Sequence, residues 1–208
     1  MEDILDVYCR LYDARYPVVC LDEASKQLLG HVREPLPMQP GTPQRVDSDY
    51  ERCGTCNIFI ACEPLRGWRV AEVTARRTKL DWAHFVRDLV DVHFADAERI
   101  VLVMDNLNTH HPASLYEAFE PAEAKRIWDR LEIHHTPKHG SWLNIAECEL
   151  SVLARQCTKG RVPDEEALKA KVLAWAAERN AKESIVDWRF TTEDARIRLK
   201  HLYPKIHD

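Results

Sequence analysis

No stretch of the chain approaches twenty consecutive apolar residues, so the sequence offers no membrane-crossing helix. Its opening segment, MEDILDVYCR, lacks the basic flank and apolar run of a secretory leader. There is no GxxxxGK[ST] loop to cradle a nucleoside triphosphate, and no GxSxG elbow for a serine nucleophile. Glycine is scarce, at six in 208 residues, and no repeat or low-complexity tract occurs, which excludes collagen-like, coiled-coil and disordered classes. Seven cysteines, an odd number at irregular spacing, argue against a disulfide framework and for a reducing, cytoplasmic setting. What is present, 45% hydrophobic and 30% charged residues, is the composition of a soluble globular protein with one ordinary domain and room for a trailing subdomain.

A basic excess is missing too. The 34 Asp and Glu outnumber 29 Lys and Arg, for a formal charge of -5, which speaks against a protein that merely coats nucleic acid. The distribution is less one-sided. Arg66, Arg69, Arg76, Arg77 and Lys79 meet only Glu72 within their run, and Arg196, Arg198, Lys200 and Lys205 meet no acid. Such runs are candidate phosphate contacts or plain solvated faces. A metal-dependent nuclease needs carboxylates, so an acidic total leaves that class open.

The hydrophobic pattern predicts a mixed α/β sheet covered by helices. Tyr16–Leu21 reads as a buried strand ending at Asp22, Lys26–Val32 as a second, and the four prolines of 34–53 as an extended loop insertion. Asn57–Cys62 and Trp68–Thr74 read as further strands. Three- and four-residue spacing from Leu80 to Phe94 predicts a helix over 79–94. Arg99–Met104 is a short β-branched run suited to a central parallel strand, ending at Asp105. Helices broken at Pro121 follow over 113–131, then a strand over 131–136, a helix over 142–158, one over 164–180 begun by Pro163, and a last one capped by Thr191. Residues 1–160 are thus expected to form the core, and 161–208 a helical extension packed on it.

In such sheets ligands gather at the C-terminal ends of parallel strands. If the strands leading to Asp22 and Asp105 are parallel neighbours, both carboxylates stand at that edge. Either aspartate alone is as readily a turn cap. Two together repel unless a divalent cation neutralises them, and hard oxygen donors suit Mg²⁺ or Mn²⁺. A third acid is then expected. Glu147 and Glu149 both lie on the helix after Trp142, roughly 200° apart around its axis, and periodicity does not choose between them.

The segments Val-Val-Cys-Leu-Asp22-Glu, Met-Asp105-Asn-Leu-Asn-Thr-His110 and Thr-Pro-Lys138-His-Gly-Ser-Trp142-Leu-Asn144-Ile-Ala-Glu147 resemble the three motifs of a DDE transposase. The resemblance runs from about Val18 to Tyr203 and is nearest to the bacterial insertion-sequence family related to mariner, the IS-six-thirty type. It implies an RNase H-like fold and cut-and-paste transposition by DNA cleavage and strand transfer. Two Mg²⁺ ions, replaceable by Mn²⁺, would be held by Asp22, Asp105 and Glu147, the last being chosen over Glu149 by Asn144 three residues before it. Asn106 and His110 would line the site or touch DNA; Lys138 would contact phosphate, Trp142 would pack the helix start, and Asn144 would support Glu147. Arg76 and Arg77 join them as expected DNA contacts. Implied partners are double-stranded DNA, as transposon ends and TA-type targets, a second copy of the chain on DNA, and a separate N-terminal helix-turn-helix chain, since no recognition helix precedes Asp22. A bacterial, nucleoid-associated location follows. The alternatives are an RNase H-like nuclease without joining activity, and a non-catalytic DNA-binding or dimerising remnant.

Cys53-Gly-Thr-Cys56 has CxxC spacing but no second pair to complete a zinc site, and it precedes a strand where redox chemistry wants a helix start. His134 and His135, adjacent on a strand, point to opposite faces, so at most one of them joins any site.

Overall fold

The computed structural model describes residues 1–138 and 140–203; His139 and Lys205 of the histidine and basic sets above lie outside the described residues. Five strands form one mixed sheet: β1 (Val18–His31), β2 (Tyr50–Glu63), β3 (Trp68–Thr74), β4 (Ile100–Met104) and β5 (Leu131–His135), in the order β3-β2-β1-β4-β5. β2 is antiparallel to its neighbours β1 and β3, whereas β4 and β5 run parallel to β1. The helices are α1 (Glu2–Tyr8), α2 (Lys79–Asp88), α3 (Pro112–Ala118), α4 (Pro121–Asp129), α5 (Ile145–Gln156), α6 (Glu165–Ala181) and α7 (Thr192–Arg198). This is the mixed α/β sheet flanked by helices that the sequence predicts. No helix among the described residues is long and apolar enough to cross a membrane.

Strand alternation divides the core into two layers. Cys20, Ile58, Ile60, Cys62, Val101 and Val103 face α1, α5, α6 and α7, meeting Ile145, Leu153, Leu168, Val172 and Trp175. Val19, Leu21, Phe59, Ile100, Leu102 and Met104 face α2, α3 and α4, meeting Trp82, Phe85, Leu115 and Ile127. β4 is covered on both faces and paired on both edges, and all five of its residues are buried, which is why its sequence is unbroken apolar.

Several boundaries depart from the sequence pattern. The predicted strands at Tyr16–Leu21 and Lys26–Val32 are one strand, because β2 pairs with β1 from Cys20 to His31 and carries it past the polar stretch; a register shift at Leu28/Leu29 marks the irregularity. Asp22 therefore sits inside a strand, two residues beyond the last β1–β4 pair, Cys20 with Val103. β2 claims Tyr50 onward, so the predicted 34–53 loop is shorter and holds two isolated bridges, Leu36 with Arg45 and Gln39 with Thr42. The helix predicted over 79–94 ends its α-form at Asp88 and finishes as a π-turn over Leu89–His93. That predicted over 142–158 splits into a 3₁₀ turn at Ser141–Leu143 and α5. Pro163 precedes α6, whose cap is Asp164, accepting from the N–H of Ala167. α1, missed by periodicity because it is only two turns long, buries Ile4, Leu5 and Val7. The turn from β2 to β3 needs Gly67, at φ 67°, where a Cβ would lie 2.5 Å from the Glu183 carbonyl carbon.

Candidate active site

β1 and β4 are parallel neighbours, and extending their register by two residues sets Asp22 beside Asp105. By parity both belong to the layer of Cys20 and Val103, the face on which α5 packs. α5 is started by Asn144, only 1% exposed, whose side chain accepts from the Ala146 N–H at 3.1 Å and donates to the Leu21 carbonyl at 2.9 Å. One carboxamide thus caps the helix and ties its first turn to the backbone beside Asp22. Glu147 lies in that first turn. Asn144 acts on the helix start, its side-chain bonds going to the backbone of Leu21 and Ala146.

The electrostatics record the convergence. Asp22 is 9% exposed and accepts one hydrogen bond, from the Glu23 N–H at 2.8 Å. Burial pushes its carboxyl up to about 7 against that hydrogen bond, with further upward pressure from the charges of Asp105, Glu23 and Glu147. Hard oxygen donors with uncompensated negative charge match the chemistry of a divalent cation. Among the described residues no three His, Cys, Asp or Glu side chains stand arranged to hold a metal ion as they are. One Asp105 oxygen, Oδ1, is instead 2.7 Å from Nδ1 of His110.

His110 has a fully buried side chain, set between Asp105 and Glu23 and not on the surface. Its ring stacks on Trp82 with centroids 5.5 Å apart, and Nδ1–H also points at the Asp105 carbonyl, at 3.2 Å. Nε2 lies 3.2 Å from Glu23 Oε2. Burial opposes charge on this imidazole, but the Asp105 and Glu23 carboxylates outweigh it and push its pKa up to about 9. Glu23, with a side chain 1% exposed, escapes sequence reasoning: alternation turns it away from Asp22, and only the return of the chain after β4 brings His110 under it. Nearby, His135 donates from Nδ1 to the Asp105 carbonyl at 3.2 Å, while His134 turns to Asp3 and Glu132, the split expected of neighbours on a strand.

Glu149 is 2% exposed and belongs to the scaffold. Arg179 donates to both its oxygens, at 2.7 and 3.2 Å, and Arg69 Nε lies 3.1 Å from Oε2, which joins α5 to α6 and β3. Arg69 is itself 2% exposed, so it leaves the set of phosphate contacts. Much of the remaining basic run is also engaged: Arg66 with Glu63, Lys79 with Glu117, and Arg196 with Glu2. Arg76 and Arg77 are exposed; no described acid pairs with Arg76, and Arg77 reaches Glu23 at 3.8 Å. Asn106 and Lys138 are exposed on the loops after β4 and β5. Trp142, 41% exposed, stacks on Trp188 at 6.4 Å and meets Phe190 edge-on at 6.0 Å, a surface aromatic group more than a core one. Cys53 is exposed and Cys56 buried on β2, and all seven cysteines are free.

The sequence model of the family described as DDE superfamily endonuclease matches residues 17–169, well over half of the chain. No curated protein matches the sequence. Among solved structures, the Mos1 strand transfer complex is similar over 88% of this chain and 54% of that one, with a TM-score of 0.57 and 14% identity. A Mos1 transposase paired-end complex with left transposon end aligns over 88% of this chain and 58% of its own, at 14% identity and a TM-score of 0.41. The chain spans little more than half the length of these solved relatives. The first likeness bears on the fold, an RNase H-like sheet.

Proposed function

From the premise that this chain belongs to the DDE superfamily endonucleases, we propose that it is the catalytic domain of a transposase, of the bacterial insertion-sequence type related to mariner, that cleaves DNA strands and transfers them to a target. The observation that carries the reading is the parallel pairing of β1 and β4, whose register sets Asp22 beside Asp105, with the first turn of α5, which bears Glu147, tied by Asn144 to the Leu21 carbonyl. Asp22, Asp105 and Glu147 are the proposed catalytic acids and metal ligands. Two Mg²⁺ ions, or Mn²⁺, would supply a water of lowered pKa and a counter-charge for the leaving 3′-oxygen.

The chain's own residues do the rest. β1 carries Asp22, Asp105 directly follows the end of β4 beside it, and Asn144 pins the first turn of α5, which would present Glu147 to them. Arg76, Asn106 and Lys138 are exposed on the loops that follow β3, β4 and β5 and would make phosphate and groove contacts, which position DNA without reading its sequence. Arg77 contributes in the same way from its place beside Glu23. In this reading residues 1–160 are the core and 161–208 an extension packed on it, supported by Leu168, Val172 and Trp175 in the same apolar layer as the sheet. Transposon ends and TA-type targets, a homodimer on DNA, a separate helix-turn-helix chain and a nucleoid location belong to the same proposal.

Plasmid nicking by the purified chain with Mg²⁺ or Mn²⁺ tests it. Nicking is expected, with loss in Asp22→Asn, Asp105→Asn and Glu147→Gln. Folded chain that never nicks with either metal would overturn the enzymatic reading. Joining of a pre-cut 3′-hydroxyl oligonucleotide separates a transposase from a nuclease that only cuts.

A further inference from the structure

Two carboxylates from different layers of the sheet meet one buried imidazole. Asp105 Oδ1 stands 2.7 Å from Nδ1 of His110, and Glu23 Oε2 stands 3.2 Å from Nε2. The Glu23 and His110 side chains are 1% and 0% exposed, so solvent cannot satisfy either of them. Both Glu23 oxygens, His110 Nε2 and Asp105 Oδ1 lack a well-directed hydrogen bond, and Arg77, the other neighbour of Glu23, is 3.8 Å away and half exposed. The close approach is thus an ion pair of the right distance and imperfect alignment. An uncompensated buried carboxylate is costly, which gives the imidazole a strong reason to remain between the two acids. Trp82 closes the remaining ring face, at 5.5 Å between centroids, and fixes the plane of the imidazole. With its ring stacked on Trp82 and Nε2 held toward Glu23, His110 turns Nδ1–H to Asp105, whose carbonyl accepts at 3.2 Å and whose Oδ1 stands 2.7 Å away as an ion-pair partner.

We propose that Glu23 is a positioning residue which, acting through His110, sets the orientation of the Asp105 carboxylate for cation binding. This rests on the reading of Asp105 as a metal ligand. Carboxylates that bind metals are themselves held by hydrogen bonds from a surrounding shell, and losing such a partner weakens metal affinity by about 10- to 100-fold. Glu23 does not touch the cation: alternation along β1 sends it to the layer of α2 and α3, opposite to Asp22. Its influence therefore has to travel through the imidazole. The imidazole stands 2.7 Å from one Asp105 oxygen, close enough for its charge to draw that oxygen toward it.

The test is Mn²⁺ affinity, read from the free-ion electron paramagnetic resonance signal without DNA or turnover. Glu23→Gln, which keeps size and removes charge, should weaken Mn²⁺ binding by about tenfold, measured at a temperature where circular dichroism shows the variant folded. His110→Asn should weaken it comparably, and Glu23→Gln combined with His110→Asn should be no worse than His110→Asn alone, because the first substitution acts through the second residue. Additive losses in the double variant, or Mn²⁺ affinity unchanged in Glu23→Gln, would overturn the proposal. Asp105→Asn separates the two levels. If it binds Mn²⁺ like the parent, the metal-ligand reading itself fails; if it loses Mn²⁺ while Glu23→Gln does not, only the positioning role fails. Should His110→Asn not fold, Glu23→Gln decides the matter on its own.

Discussion

Replacing Asp22 with asparagine should make the metal-free chain more stable at about pH 8 and change little at about pH 4. Burial raises this carboxyl from 3.8 to about 7, against the Glu23 N–H and with the help of Asp105, Glu23 and Glu147. A carboxyl whose folded pKa lies above its unfolded one binds more protons folded than unfolded. Its contribution to stability is intact below about pH 4, falls as pH rises toward 7, and stays lost above that. Three units at about 1.4 kcal/mol each set a ceiling of about 4 kcal/mol; relaxation and water entry around a real buried charge reduce the expected gain to about 2 kcal/mol. The asparagine side chain keeps an oxygen for the Glu23 N–H, now 2.8 Å from Asp22, so the substitution removes charge with little loss of packing. The assay is urea unfolding of parent and variant in chelator at several pH values. Millimolar Mg²⁺ should then reverse the order, since a cation at about a hundred times its dissociation constant adds about 2.7 kcal/mol to the parent alone. A difference between parent and variant that does not vary from pH 4 to pH 8 would refute the reasoning.

Glu147→Gln should abolish metal-dependent nicking and leave the melting temperature nearly unchanged, whereas Glu149→Gln, which strips a buried partner from Arg69 and Arg179, should cost about 3 kcal/mol in denaturant unfolding; a dead but stable Glu149 variant beside an active Glu147 variant would reverse the assignment. Asn144→Ala removes both the cap of α5 and the tie to the Leu21 carbonyl, and should cost about 2–3 kcal/mol while lowering nicking at saturating metal; a loss below about 0.5 kcal/mol would mean that the cap is not what holds the helix start. Gly67→Ala should destabilise by more than about 1 kcal/mol, since the turn has φ 67° and a Cβ would press on the Glu183 backbone; calorimetry showing an unchanged melting temperature would count against that turn.

Periodicity and composition suffice for what depends on neighbours in sequence. The apolar run of β4, the Thr191 cap and the break at Pro121 are local signals, and each stands where the pattern places it. The two aspartates were legible because each directly follows an apolar run, although β1 runs on past Asp22 where β2 continues to pair with it. Glu147 and Glu149 could not be told apart by helical spacing. Only the packing of α6 and β3 shows that Arg69 and Arg179 claim Glu149, while Glu147 stays in the first turn of α5. The same holds for the basic runs, where long-range partners such as Glu149 and Glu2 decide which arginines are spent inside the protein. Glu23 marks the limit most sharply. Its neighbour Asp22 is adjacent in sequence yet on the opposite face, and its real partner, His110, is eighty-seven residues away by number. Alternation and spacing are properties of one segment, whereas an ion pair across layers exists only after the sheet, its crossovers and its helices have closed around it.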